Sequence, residues 1–433
     1  MKIWLITIGE PLPTDPGSPR LLRTGIVAGL LRDQGHEVVW WTSCFNHQTK
    51  QMRAHVVGPA ARAALGYDLR LLAGSGYRSN VSWQRLRDHR QLAQAFSEQA
   101  PTLPAPDIVL CSYPTVGLCE AAVAYAHPRG VPVLLDLRDL WPDIFENLVP
   151  PVLRGLARGL LAPMFRASRR ACEGATALVG ITEAFVDWGV ARAGRPRRPA
   201  DRSFALAYDF RPMPAEALQA ARDKWTALGI AAGARTLCFF GTLGRQFDIP
   251  TVLEAARRLQ DSDLRFVICG TGDRLAQYQR DAAELPNVLL AGWVDAAAIR
   301  ALMERSLAGL APYHNERSFT MSIPNKAVEY LAGGLPVLTC LGGELQAMLR
   351  QHGCGLFWNE GDAASLVDAI NLLIGDPEAL QHMADNAAFA FSENFVAQVV
   401  YGRLIDHLCD LAATPRAGAT AASGLDLNLL PTP

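Results

Sequence analysis

The chain is short of several features that would settle its class at once. None of its stretches approaches the roughly 20 consecutive apolar residues that span a bilayer, so the protein reads as soluble or peripheral. It has no excess of charge of one sign. Its 41 basic side chains face 42 acidic ones, which gives no support to nucleic-acid binding driven by bulk charge. Nine cysteines, at 44, 111, 119, 172, 238, 269, 340, 354 and 409, include no CxxC pair, and several sit inside apolar runs such as "LCFFG" and "FVICG". They read as reduced core residues of a cytosolic protein, not as a disulfide framework. No carboxylate or histidine cluster has metal-ligand spacing, so no metal is expected. There is no GxGxxG fingerprint and no repeat of 20–50 residues. The opening "MKIWLITIGE" has one lysine and a short apolar run ending at Gly9-Glu10, which reads as a first β-strand and not as a signal peptide.

What is present is alternation. At 433 residues the chain exceeds the roughly 250–300 residues at which single cores stop growing, so two domains are expected. Short apolar runs at 2–8, 37–42, 107–111, 132–137 and 177–181, then at 236–240, 265–269, 287–290, 308–311 and 336–339, read as strands. Helical periodicity fills the gaps, as in "LRTGIVAGLLRDQG" and "IPTVLEAARRLQ". Such alternation, met twice, implies two doubly wound parallel sheets covered by helices on both faces. Proline, arginine and glycine concentrate at 194–235. The expected division is a domain at 1–205, a linker at 206–232, a second domain at 233–394, a closing helix at 395–412 that could cross back to the first domain, and an aperiodic, disordered tail at 413–433.

In the first half, "TIGEPLPTDPGSPRLLRTGIVAGLL" runs strand, Gly/Pro-rich loop, helix. Loop amides and the positive helix end can face an anion above the strand ends, with Gly9 in the loop. Arg20 and Arg23 read either as solvated helix-start arginines or as phosphate or substrate contacts. In "LDLRDLWPDIFENL" a buried strand ends in Arg138, Asp139, Trp141 and Asp143, a crowding that fits a site and equally a strand-end salt bridge with a packed tryptophan. Across 152–172, a helical wheel puts Arg154, Arg158, Arg166, Arg169 and Arg170 on one arc, with Leu153, Leu156, Leu160 and Met164 opposite. This is the pattern of a helix lying on an anionic membrane surface, and also of a solvated outer helix.

The second half repeats the plan. "LCFFGTLGRQFDIPTVLEAARRL" places Arg245 in a post-strand loop, where a guanidinium could clamp a diphosphate. "FVICGTGD" and "VLLAGWVD" end two further strands in glycine turns. In "SIPNKAVEYLAGGLPVLTCLGGE", Ser322 and Pro324 start a helix that Gly333-Gly334 stops, with Lys326 and Glu329 three apart on one face. A carboxylate fixed there can take two ribose hydroxyls, while Lys326 and nearby amides meet phosphate. A surface Lys–Glu pair is the plainer alternative.

With "RDLWPD", "GYRSNVSWQR" and "IPNKAVEYLAGGLPVL" followed by "GGE", residues 1–410 resemble the retaining glycosyltransferases of family 4, and within them the bacterial branch building cell-surface polysaccharides. The resemblance implies a GT-B fold, two Rossmann-like domains with a cleft between them. It implies Glu329 as the second, ribose-binding glutamate of the E-x7-E motif; the first position is Met321, as is common where P-x-K-x-x-E occurs. Donor contacts would come from Gly9, Gly241, Thr242, Gly270, Gly272, Trp293, Val294, Ser322 and Pro324. Arg23, Tyr77, Asn80, Arg138, Trp141 and Asp143 would lie on the acceptor side. The usual acceptor-domain histidine is not evident, and Asp139 is the nearest substitute.

The expected activity is transfer of a sugar, hexosyl or N-acetylhexosaminyl with retention, from a nucleoside diphosphate donor, with UDP as the expected nucleotide, to a lipid-linked or oligosaccharide acceptor. Arg245 and Lys326 would stabilise the leaving diphosphate, with Asp139 as a further catalytic candidate. No cofactor is expected beyond that co-substrate. The expected place is the cytoplasm, against the inner face of the membrane through 152–172. The rival readings are a sugar-nucleotide epimerase or hydrolase of the same fold and a non-catalytic scaffold subunit.

Overall fold

The structure is a computed structural model that describes residues 1–414 apart from 18, 54–58, 151 and 153. The tail expected from 413 therefore lies almost wholly outside the described residues, as does Leu153. The chain divides into two compact units. One comprises Met1–Gly180, Val186–Arg202 and the chain from Gly402; the other comprises Ile181–Phe185 and Ser203–Tyr401.

The first unit is built on a seven-stranded sheet whose spatial order is Asp68–Leu72, Glu37–Ser43, Lys2–Ile6, Ile108–Tyr113, Val133–Leu137, Ala177–Gly180 and Arg202–Ser203. Numbered along the main chain of the sheet, that is 3-2-1-4-5-6-7, and the first six strands pair in parallel. Both faces are covered, so the strands are apolar without alternation. Ile3 to Ile6 and Val38 to Ser43 are all buried. Aromatic packing fills one layer: the Trp4 ring stacks on Tyr125 at 5.2 Å and meets Trp41 edge-on at 5.2 Å.

The second unit has a six-stranded sheet in the order Val288–Gly292, Arg265–Cys269, Thr236–Phe240, Ser306–Ala311, Val337–Thr339 and Gly355–Phe357. This is 3-2-1-4-5-6, parallel throughout. Each unit is thus Rossmann-like, with its strand order reversing between strands one and four.

Three features depart from the sequence reading. Strands at Asp68–Leu72 and Gly355–Phe357, the short one at Arg202–Ser203 and a hairpin pairing Phe45–Asn46 with Gln51–Met52 were not expected from the pattern. The stretch expected as linker, 206–232, contains a helix, Ala215–Ala227, whose Trp225 is fully buried in the second unit's core and donates to the Ala298 carbonyl at 2.8 Å. The basic region 152–172 is not one helix but two, Arg154–Leu160 and Ala162–Gly174. Pro163 breaks it, because it has no N–H for the carbonyl one turn back and disfavours the helical conformation just before it. The closing helix runs Ala397–Ala413, and the chain from Gly402 on belongs to the first unit.

Candidate active site

In the second unit the ligand-binding crevice of such a sheet opens where strands one and four part, at their carboxyl ends. The loop leaving Thr236–Phe240 is tied to the exit of Ser306–Ala311. Asp248 N–H donates to the Pro312 carbonyl at 2.7 Å, His314 N–H to the Gln246 carbonyl at 3.1 Å, and the Phe247 and Tyr313 rings lie 4.6 Å apart. The neighbouring glycine loops are stitched to one another. Gly241 N–H donates to Cys269 O at 3.0 Å, Leu243 N–H to Thr271 O at 2.8 Å, and Gly270 N–H to Gly292 O at 2.6 Å. A Cβ on Gly270 would collide with the Gly241 carbonyl, one on Gly272 with the Leu243 carbonyl, and one on Gly241 with Lys326 Nζ. Three glycines that look generic in the sequence are what let these loops layer over each other and over the lysine.

The helix carrying that lysine, Asn325–Ala332, docks through Tyr330. Its hydroxyl donates to the Leu310 carbonyl at 3.0 Å, and Gly309 leaves the space its ring occupies. Docking buries Lys326 and Glu329, each 8% exposed. The Lys326 ammonium donates to the Phe240 carbonyl and lies 4.4 Å from the Phe239 ring centre and 5.2 Å from that of Phe247. Burial pushes its pKa down to about 8 against the opposing pull of Glu329. Tyr313 is pushed up by burial and by Glu329, which places that carboxylate beside the strand-four exit.

Around this buried pair the other expected donor contacts divide. Thr242 and Arg245 are exposed in the first loop, and among the described residues Arg245 forms no ion pair. Trp293 is 72% exposed after the third strand, while Val294 beside it is buried. Pro324 is buried at the helix cap, and Ser322 donates to the Phe319 carbonyl at 3.1 Å instead of capping the helix. A polar knot that the sequence reading missed lies nearby in the fold. Glu360, after the last strand, accepts from Asn315 N–H at 3.1 Å and from its side chain at 2.9 Å, and pairs with His314 at 2.5 Å. Burial opposes ionisation there, but the Asn315 and His314 bonds hold the Glu360 carboxyl below its usual range.

In the first unit the corresponding edge is crowded with charge. Beneath the Gly9 loop, Glu10 accepts from Thr24 N–H at 3.0 Å, from Thr24 Oγ1 at 2.8 Å and from Arg138. Arg138 also bonds Asp136 at 2.8 Å, and Arg23 pairs with the same carboxylate at 3.0 Å. Arg23 is therefore not a solvated helix-start residue: it is 2% exposed and engaged in this network. Asp143 accepts from Trp188 Nε1 at 2.7 Å and from Arg192, which makes it a packed ion-pair residue.

The remaining acceptor-side candidates converge with residues that the sequence reading did not single out. Tyr77 bonds His47 Nδ1 at 2.6 Å, and His47 packs against Gly9, whose φ is +87°. Asn80 Oδ1 accepts from Lys50 Nζ at 2.5 Å. The Trp141 ring stacks on His89 at 5.5 Å and lies 4.5 Å below the Arg85 guanidinium. Asp139 accepts from Leu140 N–H at 2.7 Å, and burial raises its pKa. Burial, aided by the adjacent cations, holds His47 and His89 neutral, with pKa values down to about 4 and about 3. A histidine does stand at this edge, supplied by the hairpin "CFNHQTKQM" after the second strand, where its polar turn is the only signal in the sequence.

Among the described residues no group of three or more His, Cys, Asp or Glu side chains could hold a metal ion, and no helix is long and apolar enough to cross a membrane.

The fold defined by these two sheets is GT-B, the two-Rossmann architecture of glycosyltransferases. Residues 234–376, which hold the whole glycine-stitched edge and the Lys326–Glu329 helix, match the family model described as Glycosyl transferases group 1. No curated protein matches the chain. Among solved structures, HepE of Anabaena, in complex with UDP and glucose, is 14% identical, with a TM-score of 0.66 over 95% of this chain and 100% of that one. Sucrose-phosphate synthase of Thermosynechococcus elongatus is 15% identical, with a TM-score of 0.68 over 95% and 98%. WaaG, a glycosyltransferase involved in lipopolysaccharide biosynthesis, is 15% identical, with a TM-score of 0.64 over 94% and 99%.

Proposed function

We propose that the protein is a retaining glycosyltransferase of family 4, moving a hexosyl or N-acetylhexosaminyl group from a UDP-sugar to a lipid-linked glycan in cell-surface polysaccharide synthesis. The observation that carries this reading is the buried Lys326–Glu329 pair at the strand-one/strand-four switch point, under loops thinned to glycine. A buried carboxylate there suits ribose hydroxyls, and an ammonium with exposed Arg245 suits a diphosphate. The match of 234–376 to the glycosyltransferase model supports it, and UDP as the nucleotide is supported by the fold neighbour HepE, solved with UDP and with UDP-glucose.

In this reading the donor lies across the Gly241–Thr242 and Gly270–Gly272 loops, with Trp293 and Val294 at its base end. Leaving-group charge on the diphosphate is met by Arg245, Lys326 and loop amides, the main catalytic contribution. No metal takes part, and activity should persist in EDTA.

The membrane part of the reading is supported by the exposed apolar residues of the basic segment. Val152 is 88%, Leu156 65% and Leu160 69% exposed beside Arg154 and Arg158, which gives the face both a charge and an insertion surface. A thermal-shift screen of nucleotide sugars, followed by NMR of the product's anomeric configuration, tests the whole. A stabilising UDP-sugar and a retained configuration are expected. Absence of any nucleotide-sugar binding overturns the reading.

A further inference from the structure

The first unit's carboxyl edge contains two half-buried cations that form no direct ion pair among the described residues. Lys50 and Arg85 converge on one ring, their charged groups 4.9 and 5.4 Å from the centre of Tyr77. Among the described residues neither has a carboxylate within ion-pair distance. Asp88, bonded to Gly76 N–H at 2.8 Å, and Asp139, bonded to Leu140 N–H at 2.7 Å, act on Arg85 through space without pairing with it, and Lys50 feels no such acid. Arg85 lies over Trp141, with one arm on the Asn80 carbonyl at 2.9 Å and Nε 3.4 Å from His89 Nε2.

Backbone conformation points to the same place. Lys50, the last residue of the turn between Phe45–Asn46 and Gln51–Met52, has φ +58°, a left-handed conformation that a glycine would adopt without strain. Among the described residues it is the one non-glycine with positive φ. Such positions cluster where a side chain serves a ligand.

The tautomer of His47 follows from its neighbours. Lys50 Nζ stands 3.3 Å from Nδ1, and an ammonium can only donate. Nδ1 is therefore the acceptor and the ring proton sits on Nε2, so His47 is a hydrogen-bond donor beside the Gly9 loop. The edge thus offers ammonium, guanidinium and imidazole N–H groups together.

We propose that Lys50, Arg85 and His47 form a subsite for a phosphate or diphosphate group carried by the acceptor. Calling that group part of the acceptor rests on the glycosyltransferase reading; the anion site itself does not. Phosphate oxygens carry no proton in their dianionic form and match donors of this kind, the planar guanidinium above all. Burial and mutual repulsion depress the proton affinity of Lys50 and His47, an arrangement that a bound anion would relieve.

The test is calorimetric titration of inorganic pyrophosphate into the full chain saturated with UDP, so that the donor edge is filled. Pyrophosphate should still bind. Its affinity should fall at least about tenfold in Arg85→Gln and in Lys50→Gly, with UDP affinity unchanged. Lys50→Gly suits the left-handed backbone, so its melting temperature should not drop, and it remains informative if Arg85→Gln folds poorly. Pyrophosphate that is displaced by UDP, or that binds Lys50→Gly like the wild type, overturns the subsite. If UDP never binds but pyrophosphate binding still depends on Lys50, the donor assignment fails and the subsite stands. A short-chain polyprenyl diphosphate in micelles should compete with pyrophosphate if the anion belongs to a lipid carrier. Lack of competition assigns the site to a free phosphate compound.

Discussion

The two units share a strand order and differ in what they place on the same edge. In the second, the edge is backbone: loops layered through Gly241, Gly270 and Gly272 over a single buried ammonium. In the first, it is side chains: ion-pair networks, two neutral histidines and two cations without a direct ion pair, set among aromatic rings. One topology therefore supports two recognition strategies. A backbone cradle accepts a ligand part that never varies, such as a diphosphate. A side-chain mosaic suits a partner whose chemistry is specific to this chain.

The sharpest way to break that contrast is to remove charge from the backbone cradle. Arg245→Ala and Lys326→Ala should each lower turnover by about 10²–10³ with smaller losses in donor affinity, as for other groups that answer charge developing in a transition state. Steady-state kinetics alongside calorimetric donor binding checks this, and normal turnover with weakened affinity would reduce both residues to binding groups.

Next in size are changes to the cradle's form. Gly270→Ala has no space for its methyl against the Gly241 carbonyl and a φ of +141° that alanine avoids. It should cost about 1–3 kcal/mol or more of stability by denaturant unfolding. Glu329→Ala should instead leave the fold intact and weaken nucleotide-sugar binding by roughly 1–3 kcal/mol, the cost of an unmet buried polar partner. Unchanged affinity in a folded variant would remove Glu329 from the donor site.

How much of this was legible follows from the same contrast. Strands buried on both faces announce themselves as unbroken apolar runs, which is why "EVVWWTS" and "TLCFF" read directly. The edge strand "DLRLL" mixes charge into five residues and "GLF" is only three long, so neither rises above loop. Lys326 and Glu329 were legible because one helix carries both. Of the first unit's cluster, Tyr77, Asn80, Trp141 and Asp139 were named from the resemblance and Arg85 stands in the same "GYRSNVSWQR", but His47, Lys50 and His89 were not, since no periodicity links their segments to these. The glycines were visible, but their reason, a carbonyl waiting where each Cβ would be, exists only in three dimensions.

Rising pH should stabilise both edges, each in its own window, while weakening the second edge's hold on a departing diphosphate. Folded His47 and His89 release their protons near pH 4 and 3, against about 6.5 when unfolded. From pH 6.5 downward the unfolded chain binds more protons, so the first unit loses stability as pH falls. Lys326 titrates near 8 when folded and about 10.4 when unfolded. Between those values the unfolded chain again holds the extra proton, so this residue's contribution rises with pH while its ammonium, and with it the charge that meets the departing diphosphate, is lost. His89→Gln should blunt the acid limb of a melting-temperature profile, and Lys326→Arg should flatten the fall of turnover above pH 8. Unchanged limbs in these variants would show that other groups set the profile.

The smallest expected effect concerns the broken basic segment, where the first unit again works through side chains. Each arginine near an anionic bilayer adds about 1 kcal/mol, screened over a Debye length of about 10 Å at 0.1 M salt. Exposed Leu156 and Leu160 would add an apolar contribution that salt does not screen. Arg170 is paired with Glu120 at 2.6 Å, Arg158 with Glu146 at 3.0 Å and Arg169 with Glu173 at 4.0 Å, so the attraction should come chiefly from Arg154 and Arg166. Sedimentation with vesicles rich in anionic lipid should therefore decline with salt to a residual level rather than to zero. Arg154→Gln with Arg166→Gln should remove part of the salt-sensitive share, and Leu156→Ser with Leu160→Ser the residue that survives salt. Neither pair should alter UDP binding, because both lie in the first unit and the proposed donor residues of the glycine-stitched edge in the second. Binding indifferent to salt and to both pairs would make these two short helices an ordinary solvated layer over the sheet, and the acceptor would then have to reach the protein without a membrane.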